Sequence, residues 1–135
     1  MGKKYLTLGF DGSPEKDDRL IHLMSSYGLR GTFYLNPRQL QCRDLTEIYG
    51  DTEIASCASY IEQGKVLSER HTQRVMDRNI EKLRSLTGRT VSGYAYATGQ
   101  PSKQMQEHLK EKGILYARGI LNGKGFSFPE NIMHI

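Results

Sequence analysis

A chain of 135 residues with 37% apolar and 25% charged residues has the length of one domain and enough apolar side chains for a core without staples, which sets aside disordered and fibrous classes. No stretch approaches the ~20 apolar residues of a membrane helix, and "MGKKYLTLGFDG" holds too short an apolar run for a signal-peptide core. Cys42 and Cys57 stand at a spacing that matches neither a disulfide framework nor a zinc ribbon. A cytoplasmic, reduced chain with no membrane partner is expected, unless it is cut from a longer secreted precursor.

Tyr5 to Phe10 reads as a short buried strand ended by the turn-rich "DGSP". From Glu15 to Tyr27, Leu20, Leu23, Met24 and Tyr27 recur at helical spacing, with Gly28 at the C-cap. Gly31 to Leu35 gives a second strand. Leu45 to Gly50 predicts a short helix and Glu53 to Ser56 a third strand. Ser68 is an N-cap for a long helix carrying Val75, Met76, Ile80, Leu83 and Leu86 on one side, with Gly88 after its end. Val91 to Tyr96 gives a fourth strand, Ser102 caps a further helix that stops at Gly113, and Ile114 to Ala117 gives a fifth strand. Alternating strands and helices imply an α/β fold with a mostly parallel sheet, whose chemistry gathers at the strands' C-terminal ends. Asp11, Asn36, Cys57 and the turn after Tyr96 all fall on that rim.

The net charge of +4 is partly located: Arg70, Arg74, Arg78 and Lys82 recur every four residues and form one cationic stripe on the long helix. The stripe is either a surface for nucleic acid or an anionic glycan, or a solvated face partly neutralised by Asp77 and Glu81. The solvated face is the favoured reading.

The string "LTLGFDGSPEKDDRLIHLMSSYGLRGTFYLN" resembles the first segment of polysaccharide deacetylases of the NodB type, with its strand ending in F-D-D-G, its helix, and Y-G-[LI]-[KR]-[AG]-T-F-F-[LV]. "LTEIYGDTEIAS", "VSGYAYATGQPSKQMQEHLKEKGILYAR" and "FSFPENIMHI" are similar to later segments, so the resemblance covers roughly residues 5 to 134. It implies a truncated or distorted (β/α) barrel, a single domain over residues 1–135 that lacks the family's C-terminal barrel strands. It also implies a zinc or other divalent metal cofactor and hydrolysis of the acetamide of amino sugars.

In active relatives one aspartate is the base, a second aspartate and the two histidines of H-[ST]-x-x-H hold the metal, and the arginine of R-P-P-Y-G orients the base. The backbone amide of that turn's tyrosine holds the oxyanion, and a late histidine is the acid. Here one aspartate remains. Asp11 aligns best with the base, and another gap placement makes it the metal ligand. Cys57 stands at the first histidine, where a small buried apolar residue is favoured over a zinc ligand, and Ile61 stands at the second. Ala95 and Ala97 stand at the arginine and the second proline. Thr98 stands at the tyrosine, leaving its backbone N–H as the oxyanion donor, and Gly99 keeps the turn. His134 is the candidate for the late acid or for a ligand. Asn36, Tyr60, Tyr96 and Gly99 are expected on the ligand rim.

The losses fall on catalytic positions while the framework residues fit. The favoured reading is a deacetylase-like protein with impaired catalysis, needing no cofactor and keeping a carbohydrate ligand. Alternatives are an active metal-dependent deacetylase with a reorganised site, and a module that uses the basic stripe to bind nucleic acid or an anionic glycan; nucleic acid is ranked last. A homodimer covering the open sheet edge is the expected protein partner.

Overall fold

The computed structural model describes residues 3–41, 45, 47–58, 61–62, 65–96, 101–120 and 129–135. Five strands, β1 (Gly9–Asp11), β2 (Thr32–Leu35), β3 (Glu53–Ala58), β6 (Gly93–Tyr96) and β7 (Tyr116–Arg118), form one sheet in the order β1-β2-β3-β6-β7. All four pairings are parallel. A separate antiparallel pair, β4 (Ile61–Glu62) and β5 (Lys65–Val66), follows β3 and is not foreshadowed by any pattern in the sequence. The helices are α1 (Pro14–Ser26), α2 (Glu69–Thr87) and α3 (Lys103–Glu111), with a 3₁₀ turn at Pro37–Gln39.

The helix ends follow from their caps. Ser68 accepts a hydrogen bond from the backbone N–H of His71 at 3.3 Å, and Ser102 accepts one from that of Met105 at 3.1 Å. Gly88 closes α2 at φ 64°, a left-handed conformation that a Cβ would oppose. Within the expected helix 45–50, Leu45 and Glu47 are helical and the chain turns at 48–50.

The first strand begins later than the expected Tyr5. Gly9 pairs with Thr32, and the only earlier tie to β2 in the described backbone is Thr32 N–H donating to Leu8 C=O at 2.8 Å. Upstream of Thr32 the partner chain is still leaving α1 through Gly28 and Arg30, so Tyr5 and Leu6 have no ladder to join and stay exposed. In contrast, β3 outruns its expected end at Ser56, because Cys57 and Ala58 pair with Ala95 and Tyr96.

Strand alternation sorts the sheet into two faces. Phe33, Leu35, Ile54, Tyr94, Tyr96 and Ala117 point to the helices and pack with Met76, Ile80, Leu83 and Leu109 in the main core. Tyr34, Ala55 and Ala95 form a second cluster on the other face, flanked by Cys57 and Tyr116. Two polar ties anchor the helix layer. Buried Asn79 donates to the Cys57 carbonyl at 3.4 Å, and Arg84 reaches the Lys112 carbonyl at the end of α3 at 2.6 Å.

The sheet is curled. In a flat sheet β1 and β7 would lie roughly 19 Å apart, four strand spacings, yet Arg118 of β7 is ion-paired with Asp11 of β1. The outer edge of β7 is lined by the chain's own C-terminal residues: Ala117 N–H donates to Ile132 C=O at 2.8 Å, Ile135 N–H to Ala117 C=O at 2.9 Å, and Gly119 N–H to Ile135 C=O at 2.7 Å.

Candidate active site in the curled sheet

The concave face is built in layers. At the lower level Glu53 accepts hydrogen bonds from Thr32 Oγ1 at 2.6 Å and from Tyr116 O–H at 2.7 Å, so one carboxylate ties β2, β3 and β7 together. The Tyr116 ring lies over Gly93 so closely that a Cβ there would overlap it. Above, the Tyr34 ring fills the middle of the trough. The Arg118 guanidinium lies over that ring, 4.5 Å from its centroid, and Nη2 is bonded to the Asp11 carboxylate. Arg118 Nε is buried and makes no hydrogen bond among the described residues.

Cys57 points into the same trough from β3, opposite Ala95 in register. Burial pushes its thiol up to about 11, the Asp11 carboxylate pushes in the same direction, and Arg118 opposes them. At neutral pH it is a thiol, neither nucleophile nor ready metal ligand. Tyr34 is raised above the usual phenol value by burial, with Arg118 opposing; Tyr116 is raised by burial and by its bond to Glu53.

Asp11, Cys57 and Ala95 therefore lie on one face, and Arg118, to which sequence reasoning assigned no role, joins them. Its register is the signal that was missing: Ala95, at the family's arginine position, pairs with Arg118 on the next strand. Asn36 lies just past β2, where its side chain accepts from the Arg38 N–H at 3.0 Å and caps the 3₁₀ turn. Tyr96 is turned to the helix side, with its hydroxyl donating to the Met133 carbonyl at 3.0 Å. His134 stands edge-on to the Tyr96 ring, centroids 6.4 Å apart, and over Gly119. The structure thus separates Tyr96 and His134 from the face that holds Asp11. Tyr60, Thr98 and Gly99 lie outside the described residues, as do Cys42 and Ala97, while the side chain of Ile61 is not described.

A broad groove between residues 6–8, α1 and residues 47–53 lies at the other end of the strands and includes neither Asp11, Cys57 nor Arg118. On α2 the residues Arg70, Arg74, Arg78 and Lys82 are all exposed. Asp77, expected to neutralise them, instead meets His108 Nε2 at 2.7 Å and Lys112 Nζ at 3.2 Å on the neighbouring helix.

The described donors of the trough do not fit a divalent metal. Asp11 is engaged by a guanidinium, Cys57 keeps its proton, both Glu53 oxygens accept from hydroxyls, and no three His, Cys, Asp or Glu side chains converge among the described residues.

A curled parallel α/β sheet with polar residues gathered at the strands' C-terminal ends is the half-barrel fold to which the sequence pointed. The chain belongs to the polysaccharide deacetylase family, whose model matches residues 1–117. Solved structures agree on the fold. IcaB from Ammonifex degensii superposes with a TM-score of 0.69 at 14% identity, over 83% of this chain and 58% of its own. Wild-type BA3943, a CE4 family pseudoenzyme from Bacillus anthracis, gives 0.68 at 15%, over 82% and 41%; a mutant of BA3943 with restored enzymatic activity gives 0.73 at 16%, over 85% and 44%. The BpsB deacetylase domain from Bordetella bronchiseptica gives 0.68 at 11%, over 96% and 68%. The chain thus spans 58% of IcaB and less than half of BA3943. No curated protein matches it significantly.

Proposed function

We propose that this chain is a polysaccharide deacetylase-like domain that holds amino-sugar polymers in its trough and does not hydrolyse their acetamides. The observation that carries the reading is the commitment of Asp11 to Arg118 beside a protonated Cys57. Amide hydrolysis needs a base free to take a proton from water, an electrophile or donors for the oxyanion, and an acid for the amine. Here one Asp11 oxygen is bonded to the Arg118 guanidinium instead of standing free to face a water. His134, the candidate acid, stands on the helix side of the sheet against Tyr96. What remains suits binding: Asp11 is 80% exposed and accepts hydrogen bonds, Arg118 donates them, and the floor is apolar. That BA3943 is a pseudoenzyme of the CE4 family supports the view that this fold persists without activity.

Titration of the isotopically labelled chain with N-acetylglucosamine oligomers tests the reading. Amide shifts are expected at Asp11, Cys57 and Arg118 with no acetate released. Acetate release would favour the active alternative, and shifts confined to residues outside the trough would remove the sugar site. A second reading has one observation of its own, the drawing of Asp77 away from the basic stripe. It predicts nucleic-acid binding that weakens steeply with salt and is reduced by changing Arg74 and Arg78 together.

A further inference from the structure

Among the described residues the trough contains one fixed positive charge, and it comes from β7 and not from β6. The family pattern places an arginine where this chain has Ala95, on β6. Here β7, one strand further out, supplies Arg118 at the position paired with Ala95, and its longer reach brings the guanidinium over Tyr34 to Asp11. The only other carboxylate of this face in the described residues, Glu53, is satisfied by two hydroxyls. Among the described residues the positive charge beside Asp11 and Cys57 is therefore that of Arg118. A guanidinium stays protonated throughout the range in which proteins fold, so this charge is permanent.

We infer that Arg118 is the resident cation of the trough: it holds the place beside Asp11 and Cys57 that a divalent ion would take, and so makes the face a metal-excluding one. The face then reads ligands through the donors and acceptors of an arginine–aspartate pair, which suits neutral hydroxyl and amide groups. Permanence distinguishes this arrangement from a metal site, since a metal is lost to chelators and at low pH whereas a side chain is not. The inference concerns the charge of the trough and stands whether or not amino-sugar oligomers bind there.

Cys57 is the reporter. Alkylation by iodoacetamide in the full chain is followed on the Cys57 peptide by mass spectrometry, which keeps Cys42 apart, at mildly alkaline pH with and without excess zinc chloride. In the wild-type chain zinc is expected to leave the rate unchanged. Arg118→Met is expected to slow alkylation about three- to tenfold, as the thiol loses its nearby positive charge, and to make the remaining reaction sensitive to zinc. Arg118→Lys, which keeps the charge, restores most of the rate. Zinc protection of the wild-type chain, an Arg118→Met rate equal to wild type, or an Arg118→Met chain indifferent to zinc overturns the inference. If Arg118→Met does not fold, Asp11→Asn carries the test, because its side chain is exposed. Removing the Asp11 charge, which opposes the thiolate, and leaving the guanidinium as the neighbouring charge is expected to accelerate alkylation and leave it indifferent to zinc; an unchanged rate or zinc protection overturns the inference.

Discussion

The protonated thiol at position 57 gives the trough a measurable alkaline signature. Its ordinary value of 9.0 rises to about 11 in the folded chain, so between those values the unfolded chain has released a proton that the folded chain still holds. Stability therefore falls as pH rises through that window, and the loss is complete above it. Urea unfolding at either end of the window should show that Cys57→Ala removes part of the loss, about 1–2 kcal/mol once partial exposure is allowed for; the buried tyrosines account for the remainder. An identical alkaline loss in the variant would mean that the thiol is not buried as described. Gly93 is a second sensitive position. Gly93→Ala forces the Tyr116 ring off the strand and should destabilise by roughly 1–3 kcal/mol by overpacking, read as a lower urea midpoint. Residue chemistry at this scale was only partly legible. Asp11 and Cys57 were visible as rim residues because they follow apolar runs. Arg118 was matched as part of the family-like "ILYAR" strand but given no role in the site, and only the register of β7 against β6 brings it opposite Ala95.

At the scale of elements, the helices were legible nearly to the residue because serine caps and glycine stops are local signals. Removing a cap tests that logic: Ser68→Ala and Ser102→Ala should each cost about 1 kcal/mol, measured by thermal unfolding. Strand limits were less legible because pairing partners set them; Leu6 is as apolar as Leu8, yet β1 starts only at Gly9, opposite Thr32. The contact between α2 and α3 was also missed. His108 shares Asp77 with Lys112 and fastens the two helices. Asp77→Ala takes the half-buried carboxylate away from both His108 and Lys112 and should lower stability by about 1 kcal/mol, with faster hydrogen exchange confined to α3. Faster exchange spread evenly over the chain would contradict a local fastening role.

At the scale of the whole molecule, the curl of the sheet decides what the trough contains. Five parallel strands expose two edges, and an exposed edge invites pairing with another chain. On β7 the residues Ile132 to Ile135 fill that need from within. On the concave side Asp11 and Arg118 join the two outermost strands. The expected alternation of strands and helices led directly to the mostly parallel sheet, and the family resemblance led to the half-barrel that IcaB and BA3943 share. Neither could show that the acidic remnant and Arg118 meet across the opening, since the two lie 107 residues apart in sequence. The central claim is that the family scaffold is retained with its hydrolytic chemistry set aside, and acetate release tests it most directly. Purified chain is incubated with N-acetylglucosamine oligomers, with and without added zinc or cobalt. The account predicts no acetate above the protein-free control under any metal condition. Metal-stimulated release that is abolished by Asp11→Asn would contradict it.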